Sequence, residues 1–437
     1  MRTHTAGPSF TCKIVLTLLA GVGSSAAFGQ GGEPNSVPGV GRGWVAAEGG
    51  GMGGCDGWTE EYFGWMVERA WGVAGGRKVR AVVLGSIPLD EPDERLAVLE
   101  KLGAEAIGMV VGEGDANSDE VAKSLAAADL IFIRGGDQSR YVNWWKGTAT
   151  EAAIRAVFER GGVVGGTSAG CAILGEVSFD ARVGSLSSDE ALTDARHRNI
   201  TLTHGFLGLV PGVMFDSHFG ERSRLARGAV MLAHANEGPR ADDPLAQSVR
   251  DPAKEPIELM GVDPCTAVMV SPTGERTIMG RGRVTTLSYT PETTATLKAG
   301  EPPMVGPLAF SVHTHIVPSA FVGRRRGGRA ASVSTLATTW NRSGADELDR
   351  FLVAGGAEGD VRVIGLGLAG ASIKGSKLML TGATEPRTAA VVLDVTVALG
   401  TAGQPHGGGR LWVVPVPGML DLSEKSASDA RDDPQPK

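Results

Sequence analysis

The 437-residue sequence has few cysteines, no excess of positive charge and no long apolar segment. Four cysteines, one of them at position 12, exclude a disulfide-dense scaffold. A formal net charge of −7 differs from the concentrated basic surface of general nucleic-acid binders, so we expect no nucleic-acid partner. No apolar run reaches the ~20 residues of a standard membrane span. Hydrophobic residues at 42% and charged residues at 21% are instead typical of a folded globular protein, here with 64 glycines.

The N-terminus has the pattern of an export signal. Arg2 and Lys13 supply positive charge, an apolar run follows at residues 14–22, and small residues occupy positions 24–29. A retained N-terminal anchor is the competing interpretation. We expect residues 1–29 to be a signal peptide, and the mature protein, with no stable membrane span, to be secreted or periplasmic.

Residues 44–290 alternate short apolar runs with amphipathic stretches. The predicted strands lie at residues 44–47, 79–84, 106–111, 130–133 and 162–164. The predicted helices lie at residues 59–71, 94–102, 119–127 and 149–159. This alternation predicts an α/β fold, in which helices cover both faces of a parallel sheet and functional groups gather at the carboxyl ends of the strands.

The flanking segments have different compositions. Residues 30–43 are rich in Gly and Pro and are expected to form a flexible lead-in. Residues 291–420 show little helical periodicity, which predicts a C-terminal β-rich region. Its predicted strands lie at residues 310–317, 361–366, 377–380, 389–397 and 411–416. Residues 421–437 are polar and charged, and we expect a disordered tail there.

A glycine-rich turn follows the first predicted strand. Gly49, Gly51 and Gly54 fit the dinucleotide-binding pattern G-x-G-x-x-G in the strand–turn–helix context that this pattern needs. The pattern also requires an acidic residue at the end of the second strand, where Gly85 and Ser86 stand instead. We therefore favour the other interpretation, a tight turn beside an active site.

The segment from residue 161 to 171 contains a candidate nucleophile. It carries Gly166-x-Ser168-x-Gly170 between a short apolar strand and a predicted helix. A nucleophilic serine needs a sharp strand-to-helix turn, and flanking glycines remove Cβ clashes in such a turn. The N–H group of Ala169 would then point to the position of an oxyanion. The alternative is a glycine-rich turn whose serine only caps the helix.

Three ordered blocks make the sequence resemble the cyanophycinases and, more distantly, the peptidase E group of serine peptidases. Residues 134–138, Arg-Gly-Gly-Asp-Gln, are similar to the family's Gly-Gly-Asp-Gln segment. Residues 166–170 are similar to its nucleophile elbow, and residues 215–227 to its Asp-x-His-Phe segment with spaced arginines. Together with the glycine turn, the similarity covers roughly residues 44–290.

The resemblance implies a flavodoxin-like or class I glutamine amidotransferase-like fold. It implies a secreted serine hydrolase that cleaves β-aspartyl-arginine units from cyanophycin or a similar peptide. Ser168 would be the nucleophile and His218 its general base, since an imidazole with an ordinary pKa of ~6.5 can accept a proton at neutral pH. N–H groups of Ala169 and of Gly135 or Gly136 would hold the oxyanion. The residues implied to line the substrate site are Gln138, Asp216, Arg222, Arg224 and Arg227. No metal or organic cofactor is implied.

Pro264 departs from the family pattern. A Glu that orients the histidine is expected in a Gly-x-Asp-Glu-x-Thr-Ala segment, and residues 261–267 place Pro264 at that position. Asp263 is the nearest replacement, although neighbouring residues of an extended segment face opposite sides. Glu258 or a carboxylate from elsewhere is left open. Two other functions stay open as well, a non-catalytic peptide-binding protein and an exopeptidase for another acidic peptide.

Two further sets of residues invite hypotheses. Cys171 lies beside the turn that contains Ser168, and Cys265 lies in the loop that contains Pro264. If these two segments meet as the family fold implies, the two cysteines would be near enough to form a disulfide. A Cα separation above ~7 Å would exclude this bridge. His313 and His315 fall on one face of a predicted strand and could bind a metal, but no cysteine or acid with ligand spacing accompanies them. The sequence also leaves open whether the protein is a homodimer.

Overall fold

A computed structural model of the chain describes residues 43–89, 93–237 and 255–314, followed by short strands between residues 336 and 421. The predicted signal peptide, nearly all of the lead-in and the tail from residue 422 onward lie outside the described residues. All of the elements given below belong to one compact unit, Pro38–Lys437.

The described α-helices lie among the strands up to residue 237. They are α1 (Trp58–Ala74), α2 (Glu94–Lys101), α3 (Asp119–Ala126), α4 (Gln138–Trp145), α5 (Ala149–Glu159), α6 (Ala169–Ala172), α7 (Ser188–Thr193) and α8 (Leu225–Glu237). Local chemistry sets their ends: the Asp93 side chain accepts a hydrogen bond from the backbone of Arg95 at the start of α2, and Gly75 ends α1 in the left-handed conformation. The four predicted helices correspond to α1, α2, α3 and α5.

The strands fall into an N-terminal and a C-terminal group. The first group is β1 (Trp44–Glu48), β2 (Arg80–Gly85), β3 (Glu105–Val110), β4 (Leu130–Ile133), β5 (Val163–Thr167), β6 (Gly175–Phe179), β7 (Leu202–His204), β8 (Val210–Asp216), β9 (Glu258–Val262), β10 (Thr266–Val270) and β11 (Arg276–Gly280). The second is β12 (Arg283–Thr296), β13 (Met304–Thr314), β14 (Leu336–Thr338), β15 (Asp360–Gly365), β16 (Leu368–Lys374), β17 (Lys377–Gly382), β18 (Thr388–Val397), β19 (Pro405–Val416) and β20 (Gly418–Asp421).

Seven strands form one sheet in the order β11-β10-β1-β5-β4-β2-β3. The strands β1 to β5 pair in parallel, whereas β10 and β11 are antiparallel to their neighbours. Parallel neighbours need a crossover connection, and helices supply it here. The prediction of an α/β fold with a parallel sheet is therefore confirmed.

Alternate residues of the parallel strands face two separate cores. On β2, Val82 and Leu84 pack in the cluster that contains Trp145 of α4. Val83, between them in sequence, packs in the cluster that contains Phe63 of α1. Because successive strand residues point to opposite faces, helices cover the sheet on both sides, as predicted.

A second sheet of ten strands extends into the C-terminal region, in the order β14-β15-β18-β19-β13-β12-β9-β8-β6-β7. In this sheet β12 pairs with β9 on one side and with β13 on the other. The predicted boundary at residue 290 consequently falls inside one strand, and the two regions share a sheet. The five predicted C-terminal strands overlap β13, β15, β17, β18 and β19. A further sheet contains β16, β17 and β20. Across the described residues, no helix is both long and apolar enough to cross a membrane.

Candidate active site

The carboxyl ends of the parallel strands meet at one edge of the seven-stranded sheet. There Glu48 at the end of β1 lies opposite Thr167 at the end of β5, and Gly166 lies opposite Ile133 of β4. A cavity of about 610 Å³ opens at this edge. It is lined by Gly51, Met52, Gly53, Gly54, Thr59, Asp93, Glu94, Arg95, Gly135, Thr167 and Ser168. Functional groups commonly gather at this edge of a parallel α/β sheet.

Ser168 occupies a strained turn between β5 and α6. Its φ is 52° and its ψ is −111°, a conformation that non-glycine residues rarely adopt. The chain is tightly packed around it, because a Cβ on Gly170 would lie 2.2 Å from the carbonyl oxygen of Ile133. A Cβ on Gly166 would lie 2.5 Å from the backbone of Gly170. The two glycines thus permit a sharp strand-to-helix turn with Ser168 at its tip.

The side chains of Ser168 and His218 are in hydrogen-bond contact, although they are 50 residues apart in sequence. The distance between His218 Nε2 and Ser168 Oγ is 3.0 Å. The other ring nitrogen, Nδ1, lies 2.6 Å from Glu221 Oε2. The tautomer that suits both partners carries its proton on Nδ1, donates it to the Glu221 carboxylate and leaves Nε2 to accept the Ser168 hydroxyl proton.

The electrostatic surroundings keep His218 neutral near pH 7. Burial lowers the pKa of its imidazole, the hydrogen bond that it donates to Glu221 raises it, and the positive charges of Arg222 and Arg224 lower it further. The net direction is below the ordinary value of 6.5. A neutral imidazole with a free lone pair toward the hydroxyl is the form that a general base requires.

Glu221, rather than Asp263, is the carboxylate at the His218 ring. Asp263 instead accepts hydrogen bonds from the backbone N–H of Gly220 (2.7 Å) and from the backbone and side chain of Arg283 (both 3.1 Å). The prediction of Asp263 as the orienting acid is therefore wrong in geometry, because one of its oxygens accepts from Gly220, in the loop that carries His218, and the other accepts from Arg283. Glu258 forms an ion pair with Arg276 and is not the orienting acid either.

The glycine turn lies directly against the imidazole. Gly49 accepts a hydrogen bond from the backbone N–H of His218 at 2.7 Å. A Cβ on Gly50 would lie 2.2 Å from His218 Nε2, and the φ of Gly50 is 111°. No side chain fits at this position, so the packing accounts for the glycines as a tight turn beside the site.

Two backbone N–H groups beside Ser168 suit an oxyanion. A Cβ on Gly135 would lie 3.2 Å from the Cβ of Ser168 and 3.8 Å from its Oγ, which places this backbone against the serine. Among the described contacts, the N–H groups of Gly135 and Ala169 donate to no other group. Gly136 follows with a φ of 141°. The roles of Ala169, Gly135 and Gly136 in holding an oxyanion stay predictions.

Two of the residues implied to bind substrate form a buried ion pair instead. Arg227 and Asp216 are each 2% exposed, and the guanidinium donates from Nε (3.0 Å) and Nη2 (2.5 Å) to the two carboxylate oxygens. Arg224 donates to Asp216 Oδ1 at 3.1 Å and to the carbonyl of Ser217 at 2.6 Å. The expectation of substrate contacts is therefore wrong for Asp216 and Arg227, because both side chains are committed inside the protein.

The remaining implied contacts have more exposure. The side chain of Arg222 is 53% exposed, and its Nε lies 3.9 Å from Glu221 Oε2. Gln138 begins α4, is half-buried, and donates from Nε2 to the carbonyl of Phe179 at 3.4 Å. Both stay predictions as substrate contacts, and Arg222 has the more accessible group.

Replacing Asp216 with Asn is expected to lower the free energy of unfolding by about 3–5 kcal/mol, because a buried arginine then loses its counter-charge. Burial alone would raise the pKa of Asp216, but Arg227 and Arg224 outweigh it and lower the pKa below its ordinary value. The carboxylate therefore stabilises the fold above the ordinary pKa and stops doing so as pH falls through the lowered one. Urea unfolding at pH 7 measures the effect, with Glu60→Gln in the exposed pair with Lys101 as the control. An unchanged unfolding midpoint for Asp216→Asn would contradict this assignment.

The cysteines pair differently from the hypothesis. Cys55 and Cys265 form a disulfide with a Cα separation of 6.3 Å, and Cys171 is buried as a free thiol. The hypothesis of a Cys171–Cys265 bridge is therefore wrong. The bridge connects the segment that follows the glycine turn to the loop that contains Pro264. Burial, followed by the nearby Glu48, raises the pKa of the Cys171 thiol, which makes it unreactive.

Removing the bridge by Cys55→Ser is expected to destabilise the protein by about 2–4 kcal/mol, since the bridge closes a long loop in the unfolded chain. The two half-cystines are 210 residues apart in sequence. Urea unfolding with and without a reductant provides the measurement, because reduced wild type should match the variant. A wild type that is insensitive to complete reduction would show that the bridge contributes nothing.

His313 is not part of a group of metal-ligating side chains among the described residues. His313 contacts Ser311 Oγ at 3.0 Å, and His315 lies outside the described residues. Within the part of the chain that the structure covers, no group of three His, Cys, Asp or Glu residues could hold a metal. The hypothesis of a site at His313 and His315 stays untested.

Comparison with known proteins shows that part of the chain is similar to peptidases. Residues 93–251 match the sequence profile of Peptidase family S51. The chain is 32% identical over 179 residues to a cyanophycinase from Synechococcus elongatus, which covers 40% of this chain and 47% of that protein. It is 28% identical over 200 residues to a cyanophycinase from Trichormus variabilis, which covers 45% of this chain and 57% of that protein. The chain thus spans about half the length of the curated relatives that it matches.

These matches define a peptidase domain. Residues 93–251 are thus similar to Peptidase family S51, and the chain is similar to cyanophycinases at about 30% identity over part of their length. Among solved structures, a peptidase from an acI-B1 Actinobacterium is similar with a TM-score of 0.41 and 20% sequence identity, over 58% of this chain and 94% of that one.

Glu221 is the one candidate functional residue at the ring that the sequence analysis missed. The available signal was a carboxylate three residues after His218, separated from it by Phe219 and Gly220. The family pattern expects the acid at the position of Pro264, which lies in a different segment of the chain.

Proposed function

We propose that this protein is an exported serine peptidase that hydrolyses β-aspartyl-arginine units of cyanophycin or a similar peptide. The hydrogen-bonded series Ser168–His218–Glu221 carries the proposal, since it contains the nucleophile, the base and the orienting carboxylate that this chemistry needs. The similarity to Peptidase family S51 and to cyanophycinases supports a peptide substrate. The N-terminal pattern supports export.

The first half of the reaction forms an acyl-enzyme. Ser168 Oγ attacks the scissile carbonyl carbon while His218 Nε2 takes the hydroxyl proton. The Glu221 carboxylate stabilises the imidazolium that forms, and the N–H groups of Ala169 and Gly135 receive the negative charge that develops on the carbonyl oxygen. The imidazolium then gives its proton to the leaving amine as the peptide C–N bond breaks.

The second half of the reaction restores the serine. His218 takes a proton from a water molecule, whose oxygen attacks the ester carbon of the acyl-enzyme. The ester C–O bond breaks, and the proton returns from the imidazolium to Ser168 Oγ. The chemistry uses only side chains and backbone groups of this chain together with water.

Electrostatics near the serine support an acidic peptide as substrate. Arg222 is exposed beside Glu221, and an arginine presents paired donors to a carboxylate. In a β-aspartyl-arginine unit the aspartyl side-chain carboxyl is bonded to the arginine, and the free α-carboxylate of that arginine is the group that Arg222 would bind. The buried Asp216–Arg227 pair is assigned to holding β8 and α8 together and not to substrate recognition.

A substrate panel tests the proposal. Purified protein is incubated with cyanophycin granules, with soluble β-aspartyl-arginine oligomers and with isoaspartyl dipeptides, and free products are measured by mass spectrometry. Clearing of cyanophycin with release of β-aspartyl-arginine supports the proposed substrate. Cleavage of the isoaspartyl dipeptides alone would favour an exopeptidase for another acidic peptide. Binding of the oligomers without any product would favour a non-catalytic binding protein.

A further inference from the structure

A buried carboxyl group lies beneath the candidate site with no charged partner among its hydrogen bonds. Glu48, the last residue of β1, is 0% exposed. It accepts hydrogen bonds from the backbone N–H of Gly50 (2.9 Å), from Trp58 Nε1 (3.3 Å) and from the hydroxyl of Thr167. All three donors are uncharged. Burial of a carboxylate without a counter-charge is energetically unfavourable, so this position is costly for the fold.

The neighbouring titratable groups do not compensate the charge. Tyr62 faces the carboxyl from α1 and Cys171 faces it from α6. Burial raises the pKa of both groups, so both are neutral at pH 7. Burial likewise raises the pKa of Glu48 to about 8, and its hydrogen bonds only partly oppose this shift.

The contacts of Glu48 reach both halves of the Ser168–His218 pair. Its Oε2 holds the N–H of Gly50, and Gly50 packs on the His218 ring so closely that a Cβ would lie 2.2 Å from Nε2. The same oxygen binds Thr167, the residue before the nucleophile. The backbone N–H of Ser168 also donates to the carbonyl of Glu48 at 3.1 Å.

We propose that Glu48 is a positioning residue of this site, whose buried carboxyl fixes the glycine turn against the His218 ring and fixes the nucleophile strand at Thr167. This role rests on the proposed function of Ser168 and His218. A single side chain then sets the distance between the base and the nucleophile, because it connects the backbones on which both depend. Displacements of about 1 Å between reacting groups can lower a rate by 10²-fold.

The titration of Glu48 gives a signature that a purely structural residue elsewhere would lack. Its pKa in the folded protein is about 8, above the ordinary value of 4.5 in the unfolded chain. The folded state therefore holds its proton more tightly than the unfolded state, and stability falls as pH rises from about 4.5 to about 8. Glu48→Gln keeps a carbonyl oxygen for Gly50 and Thr167 but removes this titration.

The experiment compares Glu48→Gln and Glu48→Ala with wild type. Asp129→Asn is the matched control, because Asp129 is 1% exposed and lies before β4 at the opposite edge of the sheet, paired with Arg77. Each protein is measured for kcat and KM on β-aspartyl-arginine oligomers, for the rate at which a fluorophosphonate labels Ser168, and for urea unfolding at pH 6 and pH 8.5.

We expect Glu48→Ala to lose at least ~10-fold in kcat and in labelling rate with KM within about twofold of wild type, because binding groups are untouched while the reacting pair is misplaced. Glu48→Gln should lose less in kcat, and both variants should lose the part of the pH dependence of unfolding that Glu48 causes. Asp129→Asn should lose stability while it retains kcat and labelling rate.

The proposal is overturned if Glu48→Ala and Glu48→Gln both retain the wild-type kcat and labelling rate. If Glu48→Ala does not fold, Glu48→Gln alone decides. The proposal is then overturned if Glu48→Gln has the wild-type kcat and the wild-type pH dependence of unfolding. Failure of the proposed function is a separate result, namely a wild type without turnover or Ser168 labelling. In that case the NMR titration of the His218 ring decides: a changed imidazole pKa in Glu48→Gln supports the positioning role, and an unchanged one refutes it.

Discussion

Replacing Ser168 with Ala is expected to reduce peptide hydrolysis by at least ~10⁴-fold, because loss of a triad nucleophile leaves only binding and oxyanion stabilisation. The Ser168 hydroxyl lies at the tip of a strained turn and within 3.0 Å of His218 Nε2. No other hydroxyl is needed by the proposed mechanism. The measurement is the initial rate of product release from β-aspartyl-arginine oligomers at saturating substrate.

A matched control separates the nucleophile from a general effect of losing a hydroxyl. Ser271→Ala removes a serine hydroxyl from the turn between β10 and β11, where its Oγ contacts Thr273. Its rate should equal that of wild type. The same unfolding midpoint for Ser168→Ala and wild type would show that the variant loses its rate through the catalytic step and not through unfolding. Retention of even a tenth of the wild-type rate by folded Ser168→Ala would exclude this serine as nucleophile.

Replacing Glu221 with Gln is expected to lower kcat by roughly 10²–10³-fold, less than the ~10⁴-fold seen when a buried orienting acid is lost. The reduction arises because an amide at Nδ1 can stabilise the wrong tautomer and cannot neutralise an imidazolium. The effect is moderated since the Glu221 side chain is 55% exposed, so water can partly replace it. Rates on the same oligomers give the measurement.

The control for Glu221 is a second carboxylate three residues after a histidine. Glu237 lies 3.7 Å from His234 Nδ1 on α8, away from the cavity edge, and Glu237→Gln should retain the wild-type kcat.

The acid limb of the pH–rate profile adds an independent test, because burial already places the pKa of His218 below 6.5 and Glu221 opposes that shift. Activity should decline as pH falls through this lowered pKa, and the decline should move to still lower pH in Glu221→Gln. A wild-type profile and rate for Glu221→Gln would assign the orienting role elsewhere.

The nucleophile and the base could be predicted because their signals are local in sequence. Gly166, Ser168 and Gly170 mark a strand-to-helix turn by themselves, and the structure has that turn. His218 lies in a block with recognisable spacing. Ser168 follows β5 and His218 follows β8, and these strands lie in different sheets, so local sequence does not report the contact. Only the similarity of all three blocks to one family anticipated it.

The acid and the substrate residues were harder to predict because burial is a tertiary property. Asp216 and Arg227 have the residue types of a recognition site, yet both are buried, and they neutralise each other in an ion pair. Asp263 is adjacent to the position of the acid in the pattern, but its oxygens accept hydrogen bonds from Gly220 and Arg283. Nothing in the sequence distinguishes a carboxylate that is already occupied from one that is free.

For the fold as well, local features could be predicted from the sequence and long-range strand pairing could not. Strands and helices with clear periodicity, such as β2 and α5, were predicted close to their observed ends. The boundary predicted near residue 290 lies within β12, which pairs with β9 before that residue and with β13 on both sides of it. Sheet membership is decided by pairing partners that are distant in the chain, and composition does not report it.

Covalent labelling of Ser168 tests the central claim most directly. Native protein is treated with a fluorophosphonate and digested, and the adduct is located by tandem mass spectrometry in wild type and in His218→Ala. The account predicts a single adduct on Ser168 whose formation slows by at least ~10²-fold without the imidazole, since the base activates the hydroxyl. Absence of an adduct in folded wild type, or equal labelling rates in the two proteins, would contradict the pairing of nucleophile and base.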